Sequence, residues 1–362
     1  MRDDRYKEML LITSVVQDYL KQFLADEIMK EPYFQDYNIS LNYMFNRRLN
    51  KNIWLRPYVC AMVFKQYNQL YLNNDELINP IIIPALTVSE VFNISTYQSN
   101  IVFDDKIKNE YISNVNQFIS SFISFNLAIH ILNKVNLPPD KVLTCINILN
   151  ECNKTVYIGQ YIDLNVLVTK NTSNILSMSE NEYIKFYLDR CKKIGGTTVD
   201  TCATWAYIIA GKSNVNELSI LRGLFQTWGQ LMQMANDLSD YTIFINQKDY
   251  VRYTDIRAGK ITLPFYYILQ TMPKNSALSF IKTMNELDDA SLDLFFQEYL
   301  YVDSDIIRKV FFVMESLWKS CRVQMRMLGL DKNYFRFLFE NAFLTKFSRC
   351  FFSNHLIKHI SK

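Results

Sequence analysis

Glycine and proline are scarce in this chain, with 8 of each among 362 residues. Because both residues interrupt regular secondary structure, their scarcity favours long, uninterrupted elements. The strict alternation of polar and apolar residues that is typical of half-buried strands is also missing. These absences predict a mostly helical protein, and its length is enough for one large core or two modest ones.

Runs of like charge are also missing. The 39 Lys and Arg residues are interspersed with 36 Asp and Glu residues, which gives a formal net charge of +3. Neither a basic tract nor an acidic tail is present to bind nucleic acid or an anionic membrane. We therefore expect no nucleic-acid partner.

The seven cysteines include no C-x-x-C pair. An odd number without paired spacing predicts reduced thiols and a cytoplasmic location. The opening MRDDRYKEMLLITSVVQDYLKQFL is amphipathic and acidic, unlike a signal peptide. LINPIIIPAL, the most apolar short stretch at residues 77–86, is too short to cross a bilayer, so no membrane span is expected.

Helical periodicity recurs along most of the chain and stops at turn-forming sequences such as NLPPD at 136–140 and AGKSN at 210–214. Ser179 and Glu182 have capping-box spacing at one predicted helix start. No repeat, linker or change of composition divides the chain, so we expect one all-α domain over residues 1–362. The predicted helices are Lys7–Ala25, Leu55–Leu72, Thr87–Ile101, Ile112–Lys134, Lys141–Leu167, Glu180–Gly211, Val215–Phe244 and Thr262–Gln270, with further segments to Leu356.

Two acidic clusters lie on helices that are otherwise apolar. Asp237 and Asp240 share one face of the first, and Asp104 and Asp105 end the second, with Asn109 one turn later. Each cluster alone is compatible with a solvated helix end. Because buried carboxylates are costly unless paired or bound to metal, two clusters that meet inside a bundle favour a Mg²⁺ site for a diphosphate. Lys193 and Lys260 would add positive charge for that anion.

Six segments, in order, resemble motifs of the trans-isoprenyl diphosphate synthase superfamily, which includes the class I terpene synthases. They are NIWLRPYV, FDDKIKN, TVYIGQYIDL, CKKIGG, GQLMQMANDLSDY and YTDIRAGKITLPFYY. The superfamily counterparts are GKxxRP, the first aspartate-rich motif, GQxxDL, KTGG, FQxxDDxxD and GDLxxGKxTLP. The resemblance covers about residues 40–270, and helices within 275–362 would complete the bundle.

The resemblance implies an antiparallel helical bundle around a central apolar cavity. It implies a Mg²⁺-dependent enzyme, with three ions, that acts on a prenyl diphosphate and forms a homodimer. The implied metal ligands are Asp104, Asp105, Asn109, Asn236, Asp237 and Asp240. The implied substrate-binding residues are Lys193 and Lys260 at the diphosphate, Arg56, and Gln160, Asp163 and Gln233 near the reacting centre.

The sequence departs from the elongating synthases where these bind a second diphosphate. Asn52, Ile53 and Trp54 stand in place of Gly, Lys and Arg, and no arginine pair follows FDDKIKN. Each lost charge-assisted contact costs about 1.5–3 kcal/mol. The pattern favours a terpene synthase that ionises one C15–C20 or longer substrate and cyclises it or eliminates a proton. Ser99 and Asn100, which are not bulky, permit a long prenyl chain.

Three alternatives remain open. The first is chain elongation, with Arg47, Arg48 and Lys51 holding isopentenyl diphosphate. The second is prenyl transfer to a non-isoprenoid acceptor, which tolerates an altered second site. The third is a non-catalytic subunit, because Lys108 replaces an aspartate of the first motif.

Overall fold

A computed structural model describes residues 2–27, 54–68, 81–103, 114–241, 253–284, 286–300 and 305–330. Within these ranges regular structure is helical, and the one β-type pairing is an isolated antiparallel bridge between Val168 and Lys260. The all-α prediction is confirmed. Asp104, Asp105, Lys108 and Asn109 lie outside the described residues, as do the predicted contributions of residues 47–53.

The described α-helices are numbered here in chain order. They are α1 Arg2–Glu27, α2 Leu55–Tyr67, α3 Ile83–Phe103, α4 Asn114–Leu132, α5 Pro139–Asn165, α6 Thr172–Ile175, α7 Glu180–Cys191, α8 Thr197–Ile209, α9 Val215–Leu238, α10 Thr254–Arg257, α11 Leu263–Thr271, α12 Lys274–Met284, α13 Asp289–Tyr299 and α14 Asp305–Met327. A π-helical turn, Lys192–Gly196, joins α7 to α8, and a 3₁₀ turn, Ser239–Tyr241, follows α9.

Where the structure describes them, the predicted helices are observed with three local differences. Helix α2 ends at Tyr67, followed by an extended Asn68, before the predicted end at Leu72. The segment predicted as one helix from Glu180 to Gly211 is interrupted by the π turn, where two consecutive glycines weaken helix propensity. Helix α9 ends at Leu238, before the predicted end. The capping box is present: the Glu182 amide donates to Ser179 Oγ, and the Ser179 amide donates to Glu182 Oε2 at 2.8 Å.

The chain divides into two compact units, one comprising Met1–Lys154 with Thr198–Gly223 and the other Thr155–Thr197 with Leu224–Lys362. The single domain expected over residues 1–362 stays a prediction. In the first unit, α3 and α4 pack through a polar seam. Ser95 Oγ donates to the Ser121 carbonyl at 2.9 Å, and Ser121 Oγ donates back to the Ser95 carbonyl at 2.8 Å.

Up to Ser124, helix α4 buries polar side chains and exposes apolar ones, whereas its last turns bury apolar residues such as Leu127 and Ile131. Ser120, Ser121 and Ser124 are buried, whereas Val115 and Phe122 are 66% and 52% exposed. By length and composition alone α4 could cross a membrane, and 44% of it is buried within the protein. The core helix of a soluble protein passes the same test, so the expected lack of a membrane span stays a prediction.

Glycines bring three motif-bearing segments of the second unit into backbone contact. A Cβ on Gly229 of α9 would lie 2.4 Å from Gly196 Cα, and one on Gly195 would lie 2.6 Å from the Gly229 carbonyl oxygen. On α5, a Cβ on Gly159 would lie 2.8 Å from Ile194 Cγ1. These contacts fix the GQYIDL, KKIGG and GQLMQ segments against one another.

We predict that Gly229→Ala lowers the free energy of unfolding by about 1–3 kcal/mol, because the added methyl group overlaps backbone atoms that cannot move independently. Urea unfolding measures the change. Ser219→Ala, at an exposed position of the same helix, is the control and should be neutral or slightly stabilising. A Gly229→Ala protein at least as stable as the unsubstituted one would contradict this close packing.

Candidate active site

Within the described part of the chain, the second unit buries four carboxylates and two cations in one connected cluster. Each residue is at most 5% exposed. These residues come from segments that are far apart in the sequence: α5, α7, the end of α9 with the 3₁₀ turn after it, α10, and the loop that follows α10. The members are Asp163, Arg190, Asp237, Asp240, Asp255 and Lys260.

Arg190 joins two of the carboxylates. Its Nε donates to Asp163 Oδ1 at 2.7 Å, its Nη2 donates to the same oxygen, and its Nη1 donates to Asp237 Oδ2 at 2.6 Å. A guanidinium suits this arrangement because its planar donors reach two acceptors at once. Helix α7 places Arg190 on the buried side that also carries Tyr183 and Tyr187.

Asp237 is enclosed by hydrogen-bond donors. Its Oδ2 also accepts from the Tyr187 hydroxyl at 2.7 Å, and its Oδ1 accepts from Gln233 Nε2 at 2.8 Å. Burial raises the pKa of Asp237, and the charge of Arg190 opposes that rise. The carboxylate is therefore held within the cluster by three side chains.

Lys260 joins the other side of Asp163 to Asp255. Its Nζ lies 2.7 Å from Asp163 Oδ2 and 3.1 Å from Asp255 Oδ1. The backbone fixes this lysine, since its amide donates to the Asp255 carbonyl at 2.8 Å and it pairs with Val168 in the isolated bridge. The residue expected to bind diphosphate thus lies in a buried ion-pair network.

Asp240 fixes the start of α10. Its Oδ2 accepts from the amides of Asp255 and Ile256 at 3.0 and 3.1 Å, and its Oδ1 accepts from the Thr254 hydroxyl at 3.2 Å. Burial, together with the nearby charge of Asp255, raises the pKa of Asp240 to about 7. A carboxylate so placed is stabilised by any further positive charge that approaches it.

The donor set fits one wall of a magnesium site. With all groups ionised, the cluster's four carboxylates exceed its two cations by two negative charges, the charge of one divalent ion. Nearby, Gln160 Oε1 is buried without a hydrogen-bond partner. In the described ranges no group of three or more His, Cys, Asp or Glu side chains is arranged to hold a metal ion, so further ligands have to come from elsewhere. Asp104, Asp105 and Asn109, the predicted partners, lie outside those ranges.

Three other predicted residues take separate positions. Lys193 lies on the π turn, and its half-buried side chain forms an ion pair with Asp189. Asn236 is exposed at the end of α9, and Gln233 is half-buried beside Asp237. Gln160 and Asp163 share one buried face of α5.

Arg56 belongs to the first unit. Its Nη2 donates to Thr198 Oγ1 at 3.4 Å. Trp54, which replaces a basic residue of the superfamily motif, is only 2% exposed and packs as a core side chain. It therefore offers no charge to an anion.

Arg190 and Tyr187 were not predicted from the sequence. Their signal is the spacing of Tyr183, Tyr187 and Arg190, at i, i+4 and i+7, which places all three on one helix face. An arginine on a buried aromatic face needs a buried anionic partner, and Asp163 and Asp237 supply it.

Comparisons with known proteins agree with this architecture. A family profile described as polyprenyl synthetase matches residues 108–297. The geranylgeranyl pyrophosphate synthetase of Pyrococcus horikoshii has a TM-score of 0.71 at 15% identity, over 94% of this chain and 97% of that one. The decaprenyl diphosphate synthase of Rhodobacter capsulatus has a TM-score of 0.69 at 15% identity, over 96% and 99%.

A third similar structure was solved as a complex. It is a polyprenyl synthase from Caulobacter crescentus complexed with calcium and isoprenyl diphosphate, with a TM-score of 0.67 at 16% identity, over 95% of this chain and 98% of that one. Identities this low show the fold alone. A comparison with curated protein sequences gives no match.

We predict that Asp163→Ala lowers the free energy of unfolding by about 3–5 kcal/mol, because it leaves two buried cations without a shared partner. Urea unfolding in EDTA measures the change. Asp289→Ala is the control: Asp289 is half exposed and pairs with Arg257 at 2.6 Å, so its loss should cost about 0–1 kcal/mol. Equal costs for the two variants would refute a buried network centred on Asp163.

Proposed function

Because the chain belongs to the polyprenyl synthetase family, we propose that it is a magnesium-dependent prenyltransferase that elongates an allylic prenyl diphosphate. The observation that carries the proposal is the buried acidic cluster with its surplus of two negative charges among the described residues. The similar solved structures bear the names of chain-elongating synthases, and this favours elongation over the cyclisation that the sequence pattern favours.

The substrate would bind with its diphosphate beside the buried acidic cluster. Asp240 and the exposed Asn236 are the residues of the second unit proposed to hold magnesium, which would supply positive charge to the departing diphosphate. Lys193, on the partly exposed π turn, would bind the diphosphate directly after exchanging Asp189 for the stronger anion.

Side chains deeper in the unit would act on the prenyl group. Gln160 Oε1 is a buried acceptor without a partner, and its partial negative charge would stabilise the allylic cation left by the diphosphate. Asp163 would not stabilise the allylic cation directly, because its two oxygens are paired with Arg190 and Lys260. The substrate is proposed to be C15–C20 or longer, because Ser99, buried near the end of α3, presents no bulky ring.

One observation supports cyclisation as a second candidate function. Trp54 is buried where the superfamily has a basic residue, so this position cannot bind the diphosphate of isopentenyl diphosphate. An enzyme without that second site would release diphosphate and close or deprotonate its own prenyl chain.

We predict a longer prenyl diphosphate when the protein is incubated with C10, C15, C20 or C25 diphosphate, magnesium and isopentenyl diphosphate. Mass spectrometry identifies the product, and omission of isopentenyl diphosphate is the control. A hydrocarbon or alcohol formed without it would overturn elongation in favour of cyclisation. Diphosphate release that requires a non-isoprenoid acceptor would also overturn it, as would failure to consume any substrate.

We predict that Asp240→Asn lowers kcat about 100-fold, because one charge near the leaving group is lost while the amide oxygen still accepts from the backbone of α10. Steady-state release of diphosphate gives the rate, and circular dichroism checks folding. Asp289→Ala serves as the control and should retain the rate. Near-normal release by a folded Asp240→Asn protein would show that this carboxylate holds no catalytic metal.

We propose a homodimer formed through α4. Val115, Ile119 and Phe122 are at least half exposed, and the helix contains no Asp, Glu, Lys or Arg. Sedimentation should give a dimer for the protein and a monomer for Phe122→Glu, with Val323→Glu, at an exposed position of α14, remaining a dimer. A monomeric unsubstituted protein would contradict the proposal.

We propose a cytoplasmic location. Cys60, Cys145, Cys191, Cys202 and Cys321 are buried thiols outside any disulfide, which suits a reducing compartment.

A further inference from the structure

We infer that Arg190 is a built-in cation of the acidic cluster, which takes up negative charge that a divalent metal ion would otherwise balance. The inference rests on the proposed function only because it takes magnesium as the ion that would bind beside this cluster. It assigns Arg190 a positioning role, because its contacts are to protein carboxylates.

The first support is the depth and completeness of the Arg190 contacts. Its side chain is 3% exposed, and all three guanidinium nitrogens donate to carboxylates, two of them to Asp163 and one to Asp237. A surface arginine gains little from such a pair, whereas a buried one is retained only with well-matched partners. An arginine, unlike a lysine, also stays charged when buried.

The second support is the saturation of Asp237. Arg190, Tyr187 and Gln233 together donate three hydrogen bonds to its two oxygens, and the residue is fully buried. A metal ion would have to displace these donors to use the same lone pairs. Asp237 therefore anchors Arg190. Asp240 also accepts three hydrogen bonds, but its donors are two backbone amides and a hydroxyl, which leave its negative charge unbalanced. Asp240 and the exposed Asn236 are therefore the groups of this cluster that would attract a metal ion.

The third support is the charge balance of the cluster within the described ranges. With all groups ionised, the carboxylates of Asp163, Asp237, Asp240 and Asp255 share the cluster with the cations of Arg190 and Lys260, which leaves two negative charges. Without Arg190 the surplus is three. Because Arg190 and a divalent ion bound beside Asp240 and Asn236 would share one buried cluster, their positive charges repel each other, and removing the guanidinium should strengthen metal binding.

The direction of the change in metal affinity distinguishes a built-in cation from a purely structural arginine. If Arg190 only held the helices together, its loss would loosen the carboxylates and weaken metal binding. If it is a built-in cation, its loss leaves a more negative cluster that binds metal more tightly and depends more on metal for stability.

The test compares Arg190→Gln, which keeps a donor but loses the charge, with Arg190→Lys, which keeps the charge but loses the planar fork. Arg222→Gln is the matched control, because Arg222 pairs with Asp200 in the other unit and is half exposed. Two quantities are measured without substrate: the affinity for Mn²⁺, by electron paramagnetic resonance of the free ion, and the Tm in EDTA and in MgCl₂.

We expect Arg190→Gln to have a lower Tm than the unsubstituted protein in EDTA, a larger rise of Tm in MgCl₂, and a Kd for Mn²⁺ at least about tenfold lower. Arg190→Lys and Arg222→Gln should keep the Mn²⁺ affinity of the unsubstituted protein. Unchanged or weaker Mn²⁺ binding by Arg190→Gln would overturn the inference, as would a protein that stays unfolded in both EDTA and MgCl₂, or Arg190→Lys behaving like Arg190→Gln.

The outcome is separable from that of the proposed function. Tighter Mn²⁺ binding by Arg190→Gln supports the inference even if the unsubstituted protein consumes no prenyl diphosphate. Elongation without any change in Mn²⁺ binding supports the function and overturns the inference.

Discussion

The second unit depends on one constraint: among its described residues it buries a cluster of four carboxylates with only two cations. Ionised groups removed from water require opposite charges or strong donors, and an incomplete set is costly. Arg190 and Lys260 satisfy Asp163 from both of its oxygens, and the backbone amides at the start of α10 satisfy Asp240. The remaining surplus, counted over the described residues with all groups ionised, is the feature on which we base the proposed cation site.

The backbone of the second unit is arranged to make this burial possible. Helix α5, the π turn and α9 carry glycine where they meet, so their backbones lie closer together than side chains at these positions would allow. The glycines are Gly159, Gly195, Gly196 and Gly229. The π turn contains both Lys193 and two of these glycines. The same turn therefore allows the close backbone contact and positions a partly exposed cation. Fold and charge are in this way specified by the same short segments.

The helices and the members of the site were predictable to different degrees. Periodicity, turn residues and the Ser179–Glu182 box predicted helix positions to within a few residues, because these signals are local. The motifs also predict that Asp163, Asp237, Asp240 and Lys260 belong to one site, and these four residues lie in one buried cluster, while their functional roles stay predictions. Their partners were not predictable, since pairing depends on how distant segments pack. Lys260 was assigned to diphosphate although its ammonium contacts Asp163 and Asp255, and Arg190 was missed because no motif marks it.

We propose that the buried cluster forms one side of a divalent-metal site. A crystal structure of the protein with Mn²⁺ and inorganic diphosphate, with anomalous scattering used to locate the metal, tests this directly. We expect an anomalous peak within about 2.0–2.5 Å of an oxygen of Asp240 or Asn236, with the ion also bound to diphosphate. Diphosphate held by basic side chains, without any anomalous peak beside these residues, would contradict the proposed metal site.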